Sequence, residues 1–458
     1  NILCGNSLIS PDFYDTDQAP LFDLDERLTI NAFDWEDPQY GFGEIMKAGG
    51  FDAVIGNPPY VFARDHGFTD SEKEYYYRKF KLVQYQLNTY IMFFETAIRL
   101  KNQHGIVGFI TPNNWMTIDT TSTFREYILT KAKNITLVNS YEKVFKGANV
   151  DTSILIFSTA GDDILHTLKL QNHEYTDVKT VVPSAFLSKN GSVINFQYLQ
   201  NEAASRVCRK MDELGMELSQ ICDVKAGIKA YEVGKGRPSQ TEKMKVNRVY
   251  HSQKKVDESW LKYLDGVDVA RYLQGWSGQY VKYGIHLAAP RKAFLFEGSR
   301  LLVRQIPAKP PHSIHAVYVD EVCVNDLNSM IVRKKENDYS LLYILGLLNS
   351  SLLSFWFNLT YGKLQRGIFP QFKIKELCQF PIRPIDFSNR SDVAMHDKIV
   401  RRVEQILSLN RRLQTETFTK PREREMLERE VFSLDRQIDT LVYDLYALTP
   451  EERKLIES

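Results

Sequence analysis

The chain has 458 residues, 43% of them hydrophobic and 25% charged, with a formal net charge of +1. That length holds two or three domains with sizeable cores, and no apolar run approaches the roughly 20 residues of a membrane-spanning helix. Five scattered cysteines (Cys4, Cys208, Cys222, Cys323, Cys378), with no C-x-x-C pair and no histidine at ligand spacing, read as reduced packing residues, not as a disulfide framework or a metal site. The opening Asn1-Ile2-Leu3-Cys4-Gly5 has no basic n-region and no cleavage signature, so a cytoplasmic protein is expected. Ile2-Leu3-Cys4 reads as a short buried strand and Gly5-Asn6-Ser7-Leu8 as the loop leaving it. Residues 11–50 are acidic and aperiodic, a long connection. Gly41-Phe42-Gly43 and Gly49-Gly50 lack the leading strand that a dinucleotide-binding turn requires.

Phe51-Asp52-Ala53-Val54-Ile55-Gly56 is an apolar run that reads as a buried strand, and Asn57-Pro58-Pro59-Tyr60 follows it directly. Two prolines exclude these four residues from a helix interior or a central strand. They form a stiff loop at the carboxyl end of a strand, the edge where open α/β sheets bind ligands. The Asn57 side-chain oxygen and the Pro58 carbonyl can accept two amino hydrogens, and the Tyr60 ring can stack on a planar base.

Residues 70–83 read as an exposed helix and a candidate mobile cover. Apolar residues at helical spacing over Tyr90–Leu100 predict a helix ending before Gly105. Strands are expected at Gly105–Pro112 and Ile135–Ser140, a helix at Thr123–Leu129, and a final strand after the Val144-Phe145 loop, ending at Phe157. Phe109 and Trp115 read as packing residues. This alternation of strand and helix describes one half of a doubly wound sheet.

The tetrapeptide and its strand resemble the catalytic loop of amino-directed, S-adenosylmethionine-dependent methyltransferases, and the downstream text resembles the adenine-N6 DNA branch with a TaqI-type specificity domain. The resemblance implies that Asn57, Pro58, Pro59 and Tyr60 hold and orient a flipped adenine, and that Phe145 stacks on the opposite face of that base. It implies that Asn6 lies beside the cofactor's adenine ring. It implies S-adenosylmethionine as cofactor, no metal, and double-stranded DNA as partner. The chain holds the target-base motifs in family order. The Phe-x-Gly-x-Gly strand-turn that approaches the methionine moiety and the acid that grips the ribose are not found in it. The expectation is therefore an N-terminally truncated protein that binds the cofactor poorly alone, its cofactor half lying upstream or in another chain, with nuclease activity, if any, in that missing part.

From about Leu218 the sequence changes character. Residues 1–150 hold 14 Lys/Arg against 19 Asp/Glu, whereas residues 215–385 hold 25 against 15. An excess of ten positive charges is enough to neutralise several phosphates. The glycine-rich stretch Ile221–Pro238 carries Lys225, Lys229, Lys235 and Arg237, which, with Lys363 and Arg366, suit phosphate contacts that position without specifying. Arg291, Arg304 and Gln305 are candidate base readers, because arginine commonly reads guanine and glutamine adenine; Arg304-Gln305 reads equally well as a structural pair on a strand. Helices over 397–414 and 422–445, broken at Lys420-Pro421, form an amphipathic hairpin packed on the body or a coiled-coil arm. Thr449-Pro450-Glu451-Glu452 carries the signature of a capped helix start.

The fold expected is thus α/β, the target-base half of a Rossmann-like methyltransferase sheet, followed by an α+β target-recognition domain and a C-terminal helical hairpin. The domains expected are 1–160 (partial catalytic), 161–217 (connecting), 218–390 (recognition) and 391–458 (helical). Two other readings stay open: a DNA-binding specificity module without catalysis, and an amino-methyltransferase acting on RNA or protein.

Overall fold

The structure, a computed structural model, describes residues 2–15, 24–61, 68–84, 87–145, 150–187, 192–196, 199, 201–361, 372–418 and 421–457. The chain divides into two compact units, Asn1–Gln200 and Asn201–Ser458.

The first unit is built on a sheet of β1 (Phe51–Gly56), β2 (Lys101–Pro112), β3 (Lys133–Ser140), β4 (Thr152–Ser158), β5 (Leu165–Gln171) and β6 (Glu174–Val181), in the spatial order β1-β2-β4-β3-β5-β6. β1 runs parallel to β2, and β3 parallel to β5. β4 slots between β2 and β3, antiparallel to both. The described helices are α1 (Leu24–Ile30), α2 (Gly43–Lys47), α3 (Asp70–Lys79), α4 (Thr89–Leu100) and α5 (Ser122–Lys131). The apolar spacing of α4 buries Tyr90, Ile91, Phe94 and Ala97, as an amphipathic helix laid on a sheet must. Its Phe94 ring meets Phe109 of β2 and Phe124 of α5, each with centroids 4.9 Å apart. Phe109 and Trp115 are core residues, and the Trp115 indole donates to Ser153 Oγ at 3.0 Å.

Several elements differ from the sequence-based expectation. Residues 2–4 form no strand and lie exposed, and no strand among the described residues pairs with them. The expected exposed cover is instead α3, opened by a Thr69–Glu72 capping box and docked through buried Tyr75 and Tyr76; the Tyr75 hydroxyl bonds Asp12 Oδ1 at 2.7 Å and accepts from the Ser10 N–H. The region expected to be a connection over 161–217 divides between the units. Its first part supplies β5 and β6, joined through Asn172 and His173, both at positive φ, the geometry of a two-residue hairpin turn. Its last part supplies the helix Glu202–Leu214 of the second unit, where the sequence predicts a connecting helix over 202–218.

The outer edge of β1 has no strand partner among the described residues, and Ile55 is 88% exposed there. β1 is thus not the buried strand that its apolar run predicts: as an edge strand it holds no buried residue.

The second unit holds two four-stranded sheets. One runs Ala316–Val319, Arg300–Arg304, Ser329–Lys334, Cys222–Ala226, antiparallel throughout. The other runs Val324–Asn325, Trp260–Leu264, Tyr280–Lys282, His251–Ser252. Helices Leu341–Leu348 and Ser351–Tyr361, bent by 61° at their junction, are largely buried in this unit. Among the described residues, no single helix is long and apolar enough to cross a membrane. Helices Arg390–Thr415 and Pro421–Leu445 pack on one another and on the body, as the hairpin reading expects. Arg271 clamps the second of them through Asp435 at 2.6 and 3.0 Å while donating to the Asn349 carbonyl. The Thr449–Glu452 box closes the tail, with bonds of 2.9 and 3.3 Å.

Candidate functional site

Asn57-Pro58-Pro59-Tyr60 leaves the carboxyl end of β1, with Gly56 paired to Phe109 of β2. Thr89, the first residue of α4, holds this loop. Its hydroxyl donates to the Pro59 carbonyl and accepts from Val61 N–H at 3.0 Å, while its own N–H donates to Val61 O at 3.2 Å. Sequence reasoning missed Thr89, since nothing in the local pattern links it to a loop 30 residues earlier. Asn57 is exposed, Pro58 buried and Tyr60 half-buried against the core. The Pro58 carbonyl accepts no hydrogen bond among the described residues. The Tyr60 hydroxyl lies 2.7 Å from Asn57 Oδ1 and 3.2 Å from the Ile110 carbonyl of β2. Burial raises the Tyr60 phenol above its ordinary pKa, so it keeps its proton at neutral pH.

The loop opens on a cavity of about 370 Å³ walled by Val54, Ile55, Phe93, Ala97 and Phe109, with Asn57, Pro58 and Pro59 at its rim. A second cavity, of about 430 Å³, shares Ser7, Trp35, Thr96 and Leu100 with the first and is lined by charged Asp12, Asp34, Glu36, Lys79 and Arg99. Asn6 lines neither cavity. Its Oδ1 accepts from Leu8 N–H at 3.2 Å in a local turn, and Ser7 beside it faces both spaces. Phe145 is half-buried on the loop after β3 and meets no other ring among the described residues. The apolar cavity suits part of a nucleoside-bearing sulfonium. Among the described residues, no glycine-rich strand-turn borders it to approach the rest of such a molecule, so the residues present fit that cofactor only in part.

In the second unit, Lys225 is exposed on its strand, and Lys235 and Arg237 are exposed on the loop after it. Gln240, 2% exposed, braces that loop: its amide donates to Ala230 O (2.9 Å) and His286 O (2.8 Å) and accepts from Glu232 N–H. No sequence signal marks Gln240. Lys229 pairs with Glu232 at 2.6 Å. Arg291 sits at φ +65° and donates through Nε to Gly227 O at 3.1 Å, so it also carries a structural bond. Arg304 ends its strand, and Gln305 is pinned by its backbone to Asn328 and Phe372. Both side chains are half-buried and form no hydrogen bond among the described residues. Lys363 and Arg366 lie outside the described residues. Also among the described residues, no three His, Cys, Asp or Glu side chains stand together as a metal site.

An α/β unit with an amide-and-carbonyl loop at its strand edge, followed by a basic unit, is the plan of a methylase joined to a specificity domain. Residues 6–145 match the Eco57I restriction-modification methylase family, and residues 261–382 match the TaqI-like C-terminal specificity domain. The chain is 26% identical over 440 residues to a Methanocaldococcus jannaschii protein named as a type II restriction enzyme and methyltransferase, covering 94% of this chain and 34% of the relative. It is 29% identical over 167 residues to the Escherichia coli type II restriction enzyme and methyltransferase RM.Eco57I, covering 36% of this chain and 15% of the relative. The chain thus spans about a third of the first relative's length and less of the second's. The solved Type IIL restriction-modification enzyme MmeI in complex with DNA has a similar fold, with a TM-score of 0.53 at 12% identity over 93% of this chain and 60% of that one.

Proposed function

We propose that this chain is the target-base half and the specificity domain of an S-adenosylmethionine-dependent, base-flipping DNA adenine-N6 methyltransferase of a restriction-modification enzyme. The observation that carries the reading is the pair of acceptors, Asn57 Oδ1 and the Pro58 carbonyl, on a braced loop facing a cavity within the methylase-matched residues. An extruded adenine amine offers two N–H donors to these two oxygens. Accepting both turns the nitrogen lone pair toward the cavity, and orientation of this kind supplies much of the rate enhancement in a transfer step. The cofactor, when bound, supplies an electrophilic methyl on a positive sulfur. Asn57 Oδ1 and the Pro58 carbonyl would hold the amine that receives this methyl, and the proton that the amine gives up would leave to solvent. The Tyr60 and Phe145 rings replace the stacking that the base loses on leaving the duplex, a cost of a few kcal/mol. The open edge of β1 supports completion of the cofactor site by polypeptide beyond these residues. Lys225, Lys235 and Arg237 serve phosphates, with Arg304, Gln305 and Arg291 nearer the bases. Nuclease activity is not assigned to any residue here.

The test supplies the cofactor half in trans or in the complete polypeptide and follows tritiated methyl transfer to duplex DNA. Asn57→Ala is expected to lower transfer by about a thousandfold or more while duplex affinity stays within about twofold. Equal transfer by wild type and Asn57→Ala would sink the reading.

A further inference from the structure

We propose that the Tyr60 hydroxyl is a positioning group that fixes the Asn57 side-chain amide with its oxygen, and not its nitrogen, presented to the target amine. The inference rests on the reading above and extends it from the ring of Tyr60 to its hydroxyl.

An asparagine amide carries an acceptor on one side and two donors on the other, and a half-turn about its last torsion exchanges them. An amine target also donates, so the exchanged amide would set donor against donor, a buried mismatch that defeats binding. Asn57 is exposed on its loop, so packing alone does not choose between these orientations. Tyr60 does. Its hydroxyl, 2.7 Å from Asn57 Oδ1, has a single hydrogen, and the other acceptor in reach, the Ile110 carbonyl, is farther at 3.2 Å. The phenol oxygen can also accept, but a separation of 2.7 Å is the ordinary length of an O–H···O bond and short for N–H···O, so the hydrogen goes to Oδ1 and holds the oxygen in place. Oδ1 has two lone pairs, so one remains for the amine.

The hydroxyl is itself delivered from a fixed position. The Tyr60 ring packs against the core, and Thr89 ties down the residues on either side of Tyr60.

Tyr60→Phe keeps the ring and removes only the hydroxyl. In the transfer assay it is expected to lower kcat about tenfold, the worth of one well-placed hydrogen bond, with the KM for DNA within about twofold. In the chain alone, ¹⁵N spectra give a second readout. The Asn57 side-chain amide signals, assigned by their disappearance in Asn57→Ala, are expected to shift in Tyr60→Phe while backbone signals away from the loop stay in place. Wild-type kcat together with unmoved Asn57 signals would overturn the proposal and leave Tyr60 a stacking ring only. If Asn57→Ala abolishes transfer while Tyr60→Phe matches wild type, this inference falls and the methyltransferase reading stands. If Asn57→Ala transfers normally, the broader reading falls, and the spectra still decide whether the bond exists.

Discussion

Asp326 sits just after a two-residue strand, 8% exposed, its Oδ1 accepting from Asn328 N–H at 2.9 Å. Burial, and then the nearby Asp265 carboxylate, push its pKa up to about 7. Its ordinary value is about 4, so between pH 4 and 7 the folded chain holds a proton that the unfolded chain has released. Stability from this group is therefore full below about pH 4 and drains away as pH rises to 7. Asp212, pushed up to about 6 by burial, acts with the same sign over a shorter window. His251 and His315 oppose them. Burial, with Arg248 near one and Arg304 near the other, lowers both to about 4, so each adds stability as pH rises from 4 toward its ordinary value. The net slope is a sum of opposing parts, but the difference between wild type and Asp326→Asn isolates one of them. The variant is expected to lose less stability than wild type between pH 4.5 and 7, measured as urea midpoints across a pH series. Parallel profiles would show that this carboxyl titrates normally.

At the scale of elements, the loop and α4 form one mechanical piece because Thr89 spans them. Thr89→Val keeps shape but removes the hydroxyl, leaving the Pro59 carbonyl without its donor and Val61 N–H without its acceptor. Partly buried polar groups left unpaired cost about 1–3 kcal/mol. The variant should melt several degrees lower than wild type, and hydrogen exchange at Val61 should accelerate more than in β4. Uniform acceleration would mean that the strut has no local role. The elements that make up this piece were legible before the fold was known. Apolar runs mark β1, β2 and β3 and helical spacing marks α4 to within a few residues, and two prolines mark the loop. The strut was not, since a threonine at a helix start looks like any other. The stretch that becomes β5 and β6 carries hairpin-like signals, but its place in the sheet was not legible, since that is set by parallel pairing with β3, a contact that no local window contains. Residues 2–4 show the reverse case, in which an apolar triplet resembles a strand and finds no partner.

Across the whole molecule, a net charge of +1 conceals opposite halves, with 19 acids against 14 bases before residue 151 and 15 against 25 over 215–385. Charge read as a single total would have argued against nucleic acid, and only its distribution along the chain argues for it. If the basic half tracks phosphates as proposed, affinity should fall steeply with salt, and each phosphate contact removed should flatten that dependence by about one unit of log–log slope. Lys235 and Arg237 stand exposed on the loop braced by Gln240, so replacing either by Ala should weaken every duplex about equally and reduce the slope by about 1. Gln240→Ala leaves those charges in place but frees their loop, and it should weaken binding with the slope nearly kept. Arg304 and Gln305, whose half-buried side chains form no hydrogen bond among the described residues, are the proposed base readers. Their replacement should relax discrimination between sequences by about 1–3 kcal/mol and leave the slope near wild type. Anisotropy titrations of cognate and scrambled duplexes at two salt concentrations separate the three patterns. A slope change at Arg304 with discrimination intact would move it from base reading to phosphate contact, and with it the face of the second unit that meets DNA.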